Sequence, residues 1–335
     1  MQDRYVTLAH GNGGRYMREL IAEIFARHLA NPGLDVSQDS APMELDSEGT
    51  PFITTDGFIV QPLEFPGGSI GSLAVHGTVN DLAVCGAIPR YLSLNAFIEE
   101  GLEISTLERI VKDLARAAKD AGVAVVAGDT KVLPRGEGGG LYLATTGVGN
   151  RPPGCEYGLD KIRPGDRILV SGPVGDHGIC VLLARDEFEI SGKVVSDSAC
   201  VLPLTQAAAG IDGVRFMRDP TRGGLASVAN EIAAATNHTV RLLETAVPVR
   251  DSVRMVCDML GYDPYYLACE GRVVAVVAHD SAEALLAAWQ SLETGQEAAI
   301  IGTVQTGRER VILETEISGE RLLEELEEDP LPRIC

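Results

Sequence analysis

The stretch from 150 to 165, NRPPGCEYGLDKIRPG, constrains the fold more than any other, because prolines and glycines at that density end helices and interrupt strand ladders. It divides a chain of 335 residues near its middle. At roughly 150 residues per domain the length suggests about two, so each side has to bury a core of its own.

Both sides alternate strand-like and helix-like patterns. Before the break, PFITTD reads as a strand, SIGSLAVHGTVNDLAVCG as a helix and YLSLNAFIE as a strand. A helix with Leu107, Ile110, Val111, Leu114 and Ala118 on one face follows, then the strands VAVVAGD and LYLATTGVG around a flexible GEGGG. Upstream, Arg15 to Leu29 places Leu20, Ile21, Ile24, Phe25, His28 and Leu29 on one helical face directly after HGNGG. After the break, DRILVSG, RVVAVVA and AAIIGTVQ read as strands. The segment after GPVGDHG, LASVANEIAAA and SAEALLAAWQ read as helices. The expected class is α/β, of the α+β type, in two units. The end, ERLLEELEEDPLPRIC, is acidic and broken by Pro330 and Pro332, which predicts an extended, mobile tail.

Charge excludes some partners. Forty-eight acidic against 28 basic residues leave a net charge of −20, and such a field repels phosphate backbones, so no nucleic acid is expected. No apolar run approaches the ~18 residues that span a bilayer, and the start MQDRYVTLAHGNGG lacks the pattern of a signal peptide. No membrane is expected, and the predicted location is cytoplasmic. The seven cysteines show no CxxC pair, which fits neither a disulfide framework nor a zinc site. Six lie among small or apolar residues and read as core; Cys335 does not.

Several carboxylates stand at strand ends or glycine turns rather than on solvated helix faces: Asp39 in QDSAPM, Asp56 in TTDG, Asp81 in TVNDLAVCG, Asp129 in AGDTK and Asp219 in RDPTRGG. Hard oxygen ligands at such places suit Mg²⁺ carrying a nucleotide triphosphate. Read singly, each is equally a turn or cap residue. Gly11, Asn12, Gly13 and Gly14 can present backbone N–H groups to phosphate before a helix, although HGNGG matches neither the P-loop nor the dinucleotide fingerprint. Lys131 is placed to neutralise phosphate, and Glu270 in ACEGRVVAVV to act as a general base. His76, His177 and Trp289 read as structural. Cys335 sits on five residues that reach roughly 17 Å at about 3.4 Å each, enough for an arm that carries a thiol into a pocket.

Together, AHGNGG, FPGGSIGSLAVHGTVNDLAVCGAIPRYLS, AGDTKV, DPTRGGLASVANEIA, ACEG and PRIC resemble the HypE family, the carbamoyl dehydratases of nickel–iron hydrogenase maturation. That family lies within the aminoimidazole-ribonucleotide-synthetase-like (PurM-like) superfamily. The resemblance covers residues from about 8 to 335 and implies a two-domain PurM-like fold with a flexible tail. It implies residues 1–38 as the glycine loop and first helix, and 39–150 as an ATP-binding and dimerisation domain. Residues 151–315 become the second α/β domain and 316–335 the tail. ATP and Mg²⁺ are the implied cofactors, with Asp39, Asp56, Asp81 and Asp219 around the metal, and Asp129 and Lys131 lining the nucleotide site. The implied reaction converts a thiocarbamate on Cys335 to a thiocyanate, with Glu270 as base. A homodimer, the carbamoyltransferase HypF and an iron-carrying HypC–HypD complex are the implied partners. Two other readings stay open on the residues alone: a small-molecule kinase or synthetase of the same superfamily, and a non-catalytic thiol carrier.

Overall fold

The computed structural model describes residues 3–12, 14–38, 40–185, 193–326, 331 and 334. The chain forms two compact units, one of the residues up to Leu82 and Ala87–Pro152, the other of Ala83–Gly86 and Pro153–Pro332.

In the first unit a 3₁₀ turn, Leu8–Gly11, leads to α1 (Arg15–Leu20), which continues as a π-helical stretch over Ile21–Ala26. Leu20, Ile24, Phe25 and Leu29 are buried, as the periodicity predicts. Then come β1 (Thr50–Phe58), the short β2 (Glu64–Phe65) and β3 (Gly68–Ser69), α2 (Ile70–Val84), β4 (Ile88–Glu99), α3 (Ile104–Asp120), β5 (Ala124–Leu133) and β6 (Leu141–Arg151). The main sheet runs β1-β6-β4-β5, with β4 and β5 parallel and the other pairs antiparallel. The parallel pair is connected through α3, as a crossover requires. Because α3 alternates apolar and charged faces, it buries Leu107, Ile110, Val111, Leu114 and Ala118 while its other face stays in water. By contrast α2 is small or apolar nearly all round, and buries Thr78 and Asn80 as well as Leu73 and Val79.

The second unit holds β7 (Arg167–Val170), α4 (Asp176–Ala184), α5 (Leu202–Ala209), β8 (Val214–Arg218), α6 (Gly224–Thr236), β9 (Thr239–Leu243) and α7 (Asp251–Leu260). It is completed by β10 (Val274–Val277), α8 (Ala282–Gln290), β11 (Ala299–Gln305), β12 (Arg310–Glu314) and β13 (Glu320–Leu322). The sheet order is β13-β12-β9-β11-β7-β10-β8. Both faces of its centre are buried. Val274 and Val276 join one core with Leu225 and Ile232 of α6, while Ala275 and Val277 join another with Leu204 and Trp289. A strand covered on both sides is apolar at every position, which accounts for the uninterrupted RVVAVVA. Trp289 is fully buried and donates its indole N–H to the Leu204 carbonyl at 3.0 Å.

Part of the expected mobile tail is built into the fold, where Leu331 and Ile334 are buried as well as Leu323. Residues expected to be loose from 316 include β13, paired antiparallel with β12, and Leu323 is buried, its N–H bonded to the Val311 carbonyl at 3.0 Å, a separation typical of a ladder. Acidic composition hid this strand, because Glu320, Arg321 and Leu322 all stay exposed and the buried Leu323 follows them.

Candidate functional site

In the first unit the packing of α2 on β1 brings two of the expected carboxylates to one seam. Asp56 lies opposite Thr145 of β6, and one of its oxygens accepts the Gly57 N–H at 2.7 Å. Its other oxygen faces Gly77 of α2, where a Cβ would come within 3.6 Å of it. Asp81, one helical turn beyond Gly77, accepts the Thr54 hydroxyl at 2.9 Å. Thr54 and Asp56 are two residues apart and so share a strand face. Mg²⁺ is commonly held by one or two carboxylates with phosphates and water in its remaining positions, so this donor pair fits the ion. Among the described residues no three acidic, His or Cys side chains form a metal cluster. Asp39 and Gly13 lie outside the described residues.

The same unit gathers the loop residues on β5. Asp129 and Lys131 stand two apart on an exposed strand face, in register with Asn95 and Phe97 of β4. Lys131 Nζ is 2.8 Å from Asp129 Oδ2, and this hydrogen bond holds the Asp129 carboxyl below its ordinary range. Gly11 abuts the next residue: a Cβ there would come 2.8 Å from Val132 Cβ. The 3₁₀ turn that Gly11 ends therefore lies against the GDTKV strand. Gly11 ends the 3₁₀ turn, Asn12 caps it and Gly14 opens α1 with nothing in front of its Cβ position. A cleft with Phe25, Leu29, Leu94 and Val125 in its walls has Asp129 and Thr130 as its polar side. Apolar walls with a polar end suit a flat base attached to a charged chain.

In the second unit the segments that carry Asp219 and Glu270 meet. Asp219 follows β8 and is buried, and the carbonyl of Pro220 accepts the Cys269 N–H at 3.0 Å. The DPTRGG turn is thus bonded to the ACEG segment. Glu270 is only 3% exposed, so it is not the rim carboxylate that a strand-end position suggests. Beside it lies a set of buried charges that sequence reading missed. The Glu270 N–H donates to Asp197 Oδ1 at 3.1 Å, Arg272 Nε is 3.3 Å from Asp197 Oδ2, and Arg272 and Arg250 both approach Asp176 Oδ2, at 3.5 and 3.0 Å. Burial, then the charge of Asp197, pushes the Asp176 carboxyl above its ordinary range. The one available signal was Arg272, a charge directly preceding a wholly apolar strand. His177 is fully buried and bonded to the Ser196 hydroxyl at 2.8 Å, a structural setting as expected.

Burial makes several thiols poor nucleophiles. It pushes Cys180 up to about 11 and Cys257 up to about 12, and also raises Cys200 and Cys269. Because the thiolate is the reactive form, these four are inert at neutral pH. Cys335 lies outside the described residues.

Residues 37–150 match the family model for the N-terminal domain of AIR synthase related protein, and residues 163–314 that for its C-terminal domain. The chain is 47% identical over 332 residues to carbamoyl dehydratase HypE of Azotobacter vinelandii, covering 98% of this chain and 97% of the relative. Its structure is similar to that of hydrogenase maturation protein HypE in complex with ATP, with a TM-score of 0.93 and 44% identity over 98% of this chain and 99% of that one. It is also similar to a chain in a HypE–HypF complex, with a TM-score of 0.80 and 39% identity over 92% and 99% of the two chains.

Proposed function

Because the chain belongs to the HypE carbamoyl dehydratases of the AIR synthase related family, we propose that Cys335 carries the carbamoyl group and that Glu270, Lys131 and the carboxylates at the β1–α2 seam dehydrate it. The protein is an ATP-dependent dehydratase of hydrogenase maturation. A thiocarbamate, S–C(=O)–NH₂, does not lose water directly, since oxide is a poor leaving group. Its oxygen attacks the γ-phosphorus of ATP, ADP departs, and the nitrogen gives up its first proton. The resulting S–C(=NH)–O-phosphate then loses phosphate and its second proton to leave S–C≡N. Glu270 accepts a nitrogen proton. Lys131 offsets charge on the transferring phosphoryl group, and Gly11, Asn12, Gly13, Gly14 and Asp129 hold the nucleotide.

Mg²⁺ would be held by Asp56 and Asp81, with Asp39 as a further ligand, and would neutralise phosphate charge. The observation that carries the reading is the burial of Glu270 against the DPTRGG turn, through the 3.0 Å bond from Cys269 N–H to Pro220 O. A carboxylate withdrawn from water at that place is a base for a substrate brought to it, rather than a solvated rim charge.

The sheet of the first unit supports a homodimer. On the face away from α2 it places Ile53, 74% exposed, in register with Val148 and Tyr91, and exposed Phe97 in register with Tyr142. A second copy of that face across a two-fold axis would cover them. HypF is the carbamoyl donor and a HypC–HypD complex the acceptor of the cyanide.

Intact-mass spectrometry tests the whole reading. After incubation with HypF, carbamoyl phosphate and ATP, the chain is expected to show a carbamoyl adduct that loses one water, both mapped to Cys335. An adduct on any other cysteine, or none while ATP is consumed on a small substrate, would overturn it.

A further inference from the structure

We infer that Asp197, clamped by Arg272, is a positioning residue that fixes the main chain of Glu270 for proton removal; the inference rests on Glu270 being the base. Neither segment concerned belongs to a helix or strand: residues 193–200 and the ACEG turn are irregular. Their relative placement has to come from specific contacts.

The contacts converge on one residue. Glu270 is held at both main-chain polar groups, its N–H by Asp197 Oδ1 at 3.1 Å and its carbonyl by the Ala199 N–H at 3.4 Å. Gly271 is pressed against the same strap: a Cβ there would lie 1.9 Å from the Asp197 carbonyl oxygen and 2.8 Å from the Ala199 nitrogen. Any side chain would lift 196–199 off the turn. The strap is anchored at its other side by the Ser196 hydroxyl, which bonds His177 of α4 and accepts the Ser198 N–H at 3.0 Å.

Asp197 is itself immobilised. Its side chain is wholly buried, and Arg272 Nε lies 3.3 Å from its second oxygen. Arg272 also donates to the carbonyls of Pro173 at 3.0 Å and Thr294 at 3.4 Å, so the guanidinium is tied to three separate segments. Buried ion pairs are a poor source of stability, because desolvation of both charges cancels most of their attraction. What such a pair supplies here is direction: the guanidinium, fixed by its bonds to the Pro173 and Thr294 carbonyls, holds its charge beside one oxygen of Asp197 while the other accepts one amide. Misplacing a reacting group by about 1 Å can cost roughly 10²-fold in rate. The Asp197–Arg272 pair prevents that displacement at Glu270.

The test follows single-turnover dehydration of chain carbamoylated by HypF, with water loss read by intact mass and the KM for ATP measured alongside. Asp197→Ala is expected to slow dehydration roughly 10- to 100-fold with the KM for ATP unchanged. Asp197→Asn keeps an acceptor for the Glu270 amide but loses the charge that Arg272 faces, and is expected to recover part of the rate lost in Asp197→Ala. The double variant Asp197→Ala with Glu270→Gln is expected to be no slower than Glu270→Gln alone, since both act through one group. Wild-type rate in Asp197→Ala beside an inactive Glu270→Gln, multiplying losses in the double variant, or an Asn variant as slow as Ala would each overturn the inference. Full activity of Glu270→Gln would overturn the base assignment instead. If Asp197→Ala fails to fold, Arg272→Lys decides: a several-fold slower dehydration at unchanged KM supports the clamp, and the wild-type rate refutes it.

Discussion

Lys131 Nζ lies 2.8 Å from Asp129 Oδ2, on side chains two residues apart along one face of β5. Both are more than half exposed, so this pair contributes little to stability and is free for a different use. Lysine is a point charge that can turn from a resting carboxylate to an incoming phosphate. Lys131→Ala is therefore expected to slow dehydration by roughly 10²-fold while melting as the parent does. In the same variant the Asp129 carboxyl is expected to titrate higher, because its strongest stabilising contact is gone. Carboxyl-detected NMR checks the second point, and an unmoved Asp129 would place its partner elsewhere.

Asp56 and Asp81 make a second case, where local bonding predicts which variants stay folded. Asparagine at 81 retains an acceptor for the Thr54 hydroxyl, and at 56 it retains one for the Gly57 N–H. Only the charge is lost. Asp56→Asn and Asp81→Asn are each expected to abolish Mg²⁺-dependent ATP turnover with unchanged circular dichroism, and removal of Mg²⁺ by EDTA is expected to reproduce the loss in the parent. Full turnover in both variants would make the seam an ordinary packing feature.

These two sites differ in how far the sequence revealed them. Asp129 was legible as a strand-end carboxylate and Lys131 as a cation two residues on, whereas their common strand face follows from β5 running on to Leu133. Asp56 and Asp81 were legible as strand-end and helix carboxylates, although their common seam depends on the way α2 packs on β1, which no local pattern encodes. The elements left unread, β2, β3, α5, β8, β9, α7, β12 and β13, are only two residues long, have mixed faces or lie at sheet edges, where the apolar period is short or interrupted. The Asp197–Arg272 clamp was invisible for another reason. Its members are 75 residues apart by subtraction of their numbers, on irregular segments, and only tertiary packing brings a carboxylate of one to an amide of the other.

The thiols provide a prediction with several internal controls. Cys180, Cys200, Cys257 and Cys269 have thiols raised by burial, so little thiolate is present at pH 7. In the native chain, brief iodoacetamide treatment at that pH is expected to leave all four unlabelled. Cys335→Ser is expected to bind ATP nearly as well as the parent and to form neither carbamoyl nor thiocyanate adduct. Labelling of Cys269 under native conditions would show that the ACEG turn opens, and peptide mass mapping decides it.

His76 yields a pH dependence whose sign follows from burial. On α2, withdrawal from water lowers its imidazole from 6.5 to about 4, against the opposing pull of Asp113 and Asp120 and assisted by Arg116. The folded state therefore keeps it neutral at a pH where the unfolded chain is already protonated. Above pH 6.5 neither state binds the proton, and the group has no effect on stability. As pH falls from 6.5 towards 4, the unfolded chain takes up a proton that the folded chain refuses, and stability drops. At about 1.4 kcal/mol per pKa unit the full loss is at most about 3 kcal/mol, reached below pH 4. His76→Gln cannot bind that proton, while every carboxylate that also titrates there is common to both chains. Urea unfolding of parent and variant at pH 7.5 and pH 4.5 is thus expected to show the parent losing about 2 kcal/mol more than the variant. A difference between the two chains that stays constant across this range would mean that His76 takes its proton in the folded state as readily as in the unfolded one.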